Sequence, residues 1–124
     1  MEDREIRGHR DLKVWNRAMD LVVRSYELTK EFPKAEQYGL TSQIQRAAVS
    51  IPANIAEGKG RRHLGDYLRH LSIARGSLME LETHILIAER LCYLTSQKAE
   101  AVLLLIEEIS RMLSSLQQAL EKRR

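Results

Sequence analysis

Residues 64–92 read LGDYLRHLSIARGSLMELETHILIAERLC, and the spacing of their apolar members decides the fold. Leu64, Tyr67, Leu71, Ala74, Leu78, Leu81, Ile85, Ala88 and Cys92 follow one another at alternating steps of three and four. On a helix that rhythm holds one stripe toward a partner along its whole length. A strand would scatter the same residues over both faces. The segment therefore predicts a long helix. The rhythm recurs on either side, in Leu12, Trp15, Met19, Val22 and Tyr26 before it and in Ala99, Val102, Ile106, Ile109, Leu113, Leu116 and Leu120 after it.

A fourth segment, Tyr38 to Lys59, places Leu40, Ile44, Ala47, Ile51 and Ile55 on one side. Proline lacks an N–H, and its ring crowds the preceding turn. Pro52 therefore predicts a helix that kinks near Ser50–Pro52 and runs on to Gly58. Phe32-Pro33-Lys34, Gly58-Lys59-Gly60 and Tyr93-Leu94-Thr95-Ser96 punctuate the chain between these segments, with Thr95 or Ser96 placed to cap the last helix. Short links force neighbouring helices to run antiparallel. The expected architecture is all-α: an antiparallel up-down-up-down four-helix bundle, its second helix kinked near Pro52. It occupies residues 11–122 as a single domain, after a charged N-terminal arm over residues 1–10.

Composition agrees with one globular domain. The chain has 124 residues, 30% charged and 44% apolar, with 20 Lys+Arg against 17 Asp+Glu. No apolar run reaches the roughly 18–20 residues of a membrane span. The opening MEDREIRGHR is charged throughout, so no secretory signal is expected. The single cysteine, Cys92, fits a reduced compartment, and a cytoplasmic location is the expectation. Its place on the apolar stripe reads as a buried, inert thiol.

Apolar residues exceed what one stripe per helix needs. Ala101 to Ile106 is an unbroken apolar run, and Leu68, Ile73, Met79, Leu86, Ile87 and Leu91 form a second set on the third helix. Two readings stand. The neighbouring helices cover them, or copies of the chain associate through Leu68, Ile73, Met79, Leu86, Leu103 and Leu105, as large exposed apolar patches usually do.

Charge is segregated along the chain. Residues 57–75 carry a local net of +3 through Lys59, Arg61, Arg62, Arg69 and Arg75, with His63 and His70 able to add charge at mildly acidic pH. Lys122, Arg123 and Arg124 close the chain as a second basic cluster, whereas residues 80–108 hold a net of −4. Such clusters bind phosphates by releasing counterions, without reading sequence. The plainer reading is a solvated face in which Asp66 pairs with Arg62 and His70. With only Tyr67 nearby, aromatic interleaving for base stacking is nearly absent.

Catalytic and metal chemistry find little support. A di-iron bundle needs a Glu-x-x-His on each of two helices; this sequence has none, and offers only Glu80, Glu82 and His84. Histidines 9, 63, 70 and 84 form no close pair suited to zinc. Gly58-Lys59-Gly60 lacks the strand and spacing of a phosphate loop. No catalytic residue, metal ligand or cofactor is expected. Gly76-Ser77 reads as a point of close helix approach. Ser42, Gln43, Arg46, Ser50, Asn54 and Glu57 read as packing polar groups around Pro52.

Several motifs resemble a known family. Asp11-Leu12-Lys13-Val14-Trp15, Phe32-Pro33, Tyr38-Gly39-Leu40-Thr41-Ser42-Gln43 and the run from Arg46 to Gly58 (RAAVSIPANIAEG) are similar to the small bacterial four-helix bundle proteins. Gly76-Ser77 and Glu80-Leu81-Glu82 match as well. That family is also called the intervening-sequence proteins, because some members are encoded in inserts within large-subunit ribosomal RNA genes. The likeness implies an up-down bundle assembled as a homopentamer, with no established enzymatic activity. More distantly, the chain resembles the accessory proteins of diversity-generating retroelements, basic pentamers that bind nucleic acid and a reverse transcriptase. The expected partners are copies of the chain itself, then RNA or DNA through Lys59, Arg61, Arg62, Arg69, Arg75 and Lys122–Arg124. The alternative is a protein-interaction scaffold without nucleic acid.

Overall fold

The structure, a computed structural model, describes residues 8–124. It contains four helices: α1 Lys13–Thr29, α2 Leu40–Lys59, α3 Leu64–Arg90 and α4 Ser96–Glu121. Short 3-10 turns at His9–Asp11 and Lys34–Glu36 precede α1 and α2. The described residues include no strand. The expected N-terminal arm lies outside the described residues as far as Arg7, and His9 and Arg10 already belong to the first 3-10 turn.

Pairings between helices fix the directions. Ser50 meets Ser77 and Asn54 meets His70 across α2 and α3, while Arg75 meets Ser114 and Ser72 meets Gln117 across α3 and α4. Arg17 of α1 meets Glu108 of α4, and Glu31, just past the end of α1, meets Lys98 near the start of α4. In each case rising numbers on one helix meet falling numbers on the other, so these neighbours are antiparallel. Each helix packs on the next in the cycle α1–α2–α3–α4–α1, and the diagonal pairs make no close approach among the described residues. This is the expected bundle, about 40 Å long along α3 at 1.5 Å per residue.

Three of the four predicted seams form the core. Ile44, Ile51 and Ile55 of α2, Leu71, Leu78, Leu81 and Ile85 of α3, and Ile106, Ile109 and Leu113 of α4 are fully buried. α2 continues through Pro52 as one helix, with Pro52 itself buried. Asn54 Nδ2 donates to the Ser50 carbonyl at 2.9 Å, and the Ser50 and Ser77 hydroxyls join at 2.8 Å. Of the polar residues expected to pack around Pro52, Ser50 and Asn54 do so in the α2–α3 seam, whereas Gln43, Arg46 and Glu57 are exposed. That seam is close enough to need glycine. A Cβ on Gly58 would stand 2.8 Å from His70 Cβ and 3.2 Å from the Tyr67 carbonyl.

Four expectations are corrected. On α1 the buried residues are Val14, Ala18, Leu21, Ser25 and Thr29. Met19 and Tyr26 are left about 40% exposed, with Trp15 and Val22 half-buried. Cys92 is exposed, because α3 ends at Arg90 and the chain reverses with Cys92 at φ 64°. The Tyr93 N–H donates to Ala88 O (2.9 Å) and the Cys92 N–H to Glu89 O (3.0 Å), the paired bonds of a Schellman turn. Gly76 is exposed, with open space where its Cβ would be, so it marks no close approach. Finally, Leu68 and Leu105 are core residues of the single chain. Of the residues expected between copies, Ile73, Met79 and Leu86 remain about 40% exposed and Leu103 is half-buried.

Candidate nucleic-acid interface

Antiparallel packing brings the start of α1, the end of α2, the start of α3 and the end of α4 to one end of the bundle. Two basic segments far apart in sequence therefore meet there. Tyr67, in the first turn of α3, is buried between them. The Lys59 ammonium lies 5.9 Å from the centre of its ring, a cation–π distance. Burial holds the Tyr67 phenol above its ordinary range, against the opposing pull of Arg123 on the C-terminal segment. Arg124 comes over the same turn, its Nη2 being 3.8 Å from where a Cβ on Gly65 would be.

The cations differ in how far they are engaged. Arg61 pairs with Glu57 at 2.7 Å and Arg124 with Glu121 at 3.7 Å, both on the surface. Arg69 is exposed, its Nη2 3.4 Å from His70 Nε2. Among the described residues Arg62, Lys122 and Arg123 are exposed and form no ion pair. Asp66 likewise pairs with neither Arg62 nor His70 among the described residues; Glu57 takes that place, with Arg61 and, at 4.0 Å, His70 Nδ1. His70 is buried, and its Nδ1 lies 3.1 Å from Asn54 Oδ1. It belongs to the α2–α3 seam more than to the surface.

Arg75 does not join this group. It sits further along α3 and reaches across to α4, where it donates to the Ser114 hydroxyl and to Gln117 Oε1. Its charge was plain in the sequence, but the helix flank it occupies depends on how α3 and α4 pack. Two cations that the sequence did not single out stand at the same end instead. Exposed Arg10 and Lys13 flank the start of α1.

The acidic half of the chain lies elsewhere. Met79, Leu86, Leu103 and Leu104 line a groove of about 400 Å³ between α3 and α4, together with Glu82, Glu100 and Glu107. Glu80 and His84 approach only to 3.9 Å, and both His84 ring nitrogens are buried without a hydrogen-bond partner in the described structure. Glu82 belongs to the α3–α4 groove, and no group of three metal-binding side chains occurs among the described residues. No described helix is long and apolar enough to cross a membrane.

Comparisons with known proteins agree with this architecture. The family model of the 23S rRNA-intervening sequence proteins matches residues 10–115. The fold is similar to a crystal structure of a protein with unknown function from the S23 ribosomal protein family of Bacteroides thetaiotaomicron, at a TM-score of 0.75 and 25% identity. That likeness covers 83% of this chain and 96% of the other. No curated protein matches in sequence.

Proposed function

The chain belongs to the 23S rRNA-intervening sequence protein family, and from that premise we propose a non-enzymatic, cytoplasmic homo-oligomer that binds the phosphates of RNA or DNA through its basic end. One observation carries the reading: the Lys59–Arg62 loop and the Lys122–Arg124 tail converge on Tyr67. Gathering like charge at one end works against the compact state, and a polyanion relieves it. Contacts to phosphate carry no sequence information by themselves, so binding is backbone-driven and sensitive to salt. Copies associate through exposed apolar residues of α3, among them Ile73, Met79 and Leu86. The likeness to the family suggests five subunits, and a ring would repeat each weak basic end.

A gel shift with a 20-nucleotide RNA tests this. Affinity is expected at 50 mM salt and should fall about 100-fold by 200 mM, as for roughly four phosphate contacts. The triple variant Arg61→Glu, Arg62→Glu, Arg123→Glu should lose it. No binding at 50 mM, or equal binding by the variant, overturns the proposal.

A second reading has its own support in the α3–α4 groove, where an apolar floor is rimmed by Glu82, Glu100 and Glu107. A protein partner there would make the chain a scaffold, its basic end serving solubility. Native complexes that keep a protein partner after nuclease treatment, together with a negative gel shift, favour it.

A further inference from the structure

The basic end carries aromatic rings that the sequence reading did not count. Tyr67 offers no stacking surface, because it is buried and its ring lies under Lys59. The 3-10 turn at His9–Asp11, however, folds back on the first turn of α1. Asn16 holds it there, its Nδ2 donating to the Arg10 carbonyl at 3.0 Å and to the Leu12 carbonyl at 2.9 Å. The turn also packs on α2, the helix that ends at Lys59. The His9 ring is thereby set edge-on to Trp15, with centroids 5.0 Å apart and planes at 65°. Both rings are half-buried rather than enclosed. Exposed Arg10 and Lys13 stand immediately beside them in the chain.

A partly exposed ring pair next to cations that form no ion pair among the described residues combines the two features that single-strand binding uses. The cations follow the phosphates while a base lies against an aromatic face, and every base has such a face to offer. A duplex keeps its base faces stacked inside and offers phosphates, sugars and base edges instead. Trp15 also packs against the core along one side, which fixes the platform in place. Resting on the nucleic-acid reading above, we infer that His9 and Trp15 form a base-stacking platform, so that the basic end takes single-stranded nucleic acid in preference to duplex.

Trp15 is the only tryptophan, so its emission reports the platform directly. The full chain is titrated at 50 mM salt with oligouridylate of 12 nucleotides, with a 12-base-pair RNA duplex, and with inorganic polyphosphate, which has charge but no bases. Oligouridylate is expected to quench the emission, and polyphosphate to bind in competition with it without quenching. The duplex should bind more weakly than the single strand. His9→Ala, at a surface turn, should weaken oligouridylate about fivefold, the loss of part of one stacked base, and leave polyphosphate unchanged. Oligouridylate that binds without quenching, and equally to wild type and His9→Ala, removes the platform but leaves the basic end standing. If neither polyanion binds, the basic end itself fails and the platform falls with it.

Discussion

The two ends of the bundle solve the same problem of turning the chain, and they treat charge in opposite ways. At the end where α1 joins α2 and α3 joins α4, polar groups are spent on the fold. Glu36 accepts the Leu40 N–H at 3.0 Å and the Tyr93 hydroxyl at 2.8 Å, so one carboxylate caps α2 and ties it to the α3–α4 turn. Lys98 reaches Glu31 at 2.6 Å, and Phe32 packs on the Tyr93 ring at 5.4 Å. At the basic end the α2–α3 loop has no such closure. His63 precedes α3 without a side-chain cap bond, while Arg62, Lys122 and Arg123 form no ion pair among the described residues. Folding uses Glu31, Glu36 and Lys98 at the first end to join elements far apart in sequence. At the second it pairs Arg61 with Glu57 and Arg124 with Glu121 only locally, and leaves Arg62, Lys122 and Arg123 without an ion pair among the described residues.

Charge reversal sharpens that contrast and has the largest expected effect. Lys30, Lys34 and Arg90 are exposed bases at the far end. Reversing all three to Glu changes the net charge as much as reversing Arg61, Arg62 and Arg123. The screening length is about 8–10 Å in ordinary buffer, and the bundle is about 40 Å long. The far-end triple should therefore lower RNA affinity only a few-fold, against about 100-fold for the basic-end triple, as contacts to phosphate are lost. Equal losses from both would mean that overall charge, and no particular end, governs binding.

The next effect concerns rigidity. A methyl on Gly58 meets His70 Cβ and the Tyr67 backbone, which cannot swing aside. A methyl on Gly39, at the opposite end, would stand 2.7 Å from Glu36 Oε1, the tip of a side chain that can move. Gly58→Ala should therefore lower stability by about 2 kcal/mol through overpacking. Gly39→Ala should cost about 1 kcal/mol, the value of a displaced cap. Urea unfolding of the two variants checks the order; a harmless Gly58→Ala would mean that the α2–α3 seam has slack.

How far the fold was legible in the sequence follows from the same packing. α2, α3 and α4 each present one large apolar stripe, and periodicity finds it. α1 presents two, both spaced in threes and fours. The larger side chains of Trp15, Met19, Val22 and Tyr26 outweigh Val14, Ala18, Leu21 and Ser25 in any reading of hydrophobicity. Yet the second stripe is buried, because small residues let a helix approach closely, and that distance is a tertiary property. Cys92 fails differently: the rhythm of α3 extends beyond the point where the helix stops. The basic end was legible as charge at Lys59–Arg62 and Lys122–Arg124. Their meeting at Tyr67, and the removal of Arg75 to the α4 flank, needed the bundle. His9 and Trp15 lie six residues apart, a spacing that carries no signal until the turn folds back.

Cys92 also yields a prediction. A non-glycine residue in the left-handed region is strained by about 1–2 kcal/mol, and glycine is the usual occupant of this position in a Schellman turn. Because Cys92 is exposed, Cys92→Gly sacrifices little packing. It should stabilise the chain by about 1 kcal/mol without changing RNA affinity, since the turn is at the end opposite the Lys59–Arg62 loop and the Lys122–Arg124 tail. A loss of stability would mean that the thiol makes a contact worth more than the strain.

The smallest expected effect tests the far end by pH. The Leu40 N–H, and after it the Tyr93 hydroxyl, hold the Glu36 carboxyl below its ordinary range. A carboxylate with a depressed folded pKa adds stability above its unfolded value, about 4.3 for glutamate, and that contribution disappears as pH falls through the folded value. Glu36→Gln keeps an oxygen for Leu40 but has no charge to titrate. The gap in melting temperature between wild type and Glu36→Gln should be constant from pH 8 to 6 and close below about pH 4. Tyr93→Phe removes the second hydrogen bond, so the Glu36 carboxyl moves up toward its ordinary range; in that background the gap should be smaller and finish closing at a higher pH than in the wild type. A gap independent of pH would show that Glu36 acts at this end by shape alone. The contrast between an end closed by matched charge and an end left open would then lose its electrostatic half.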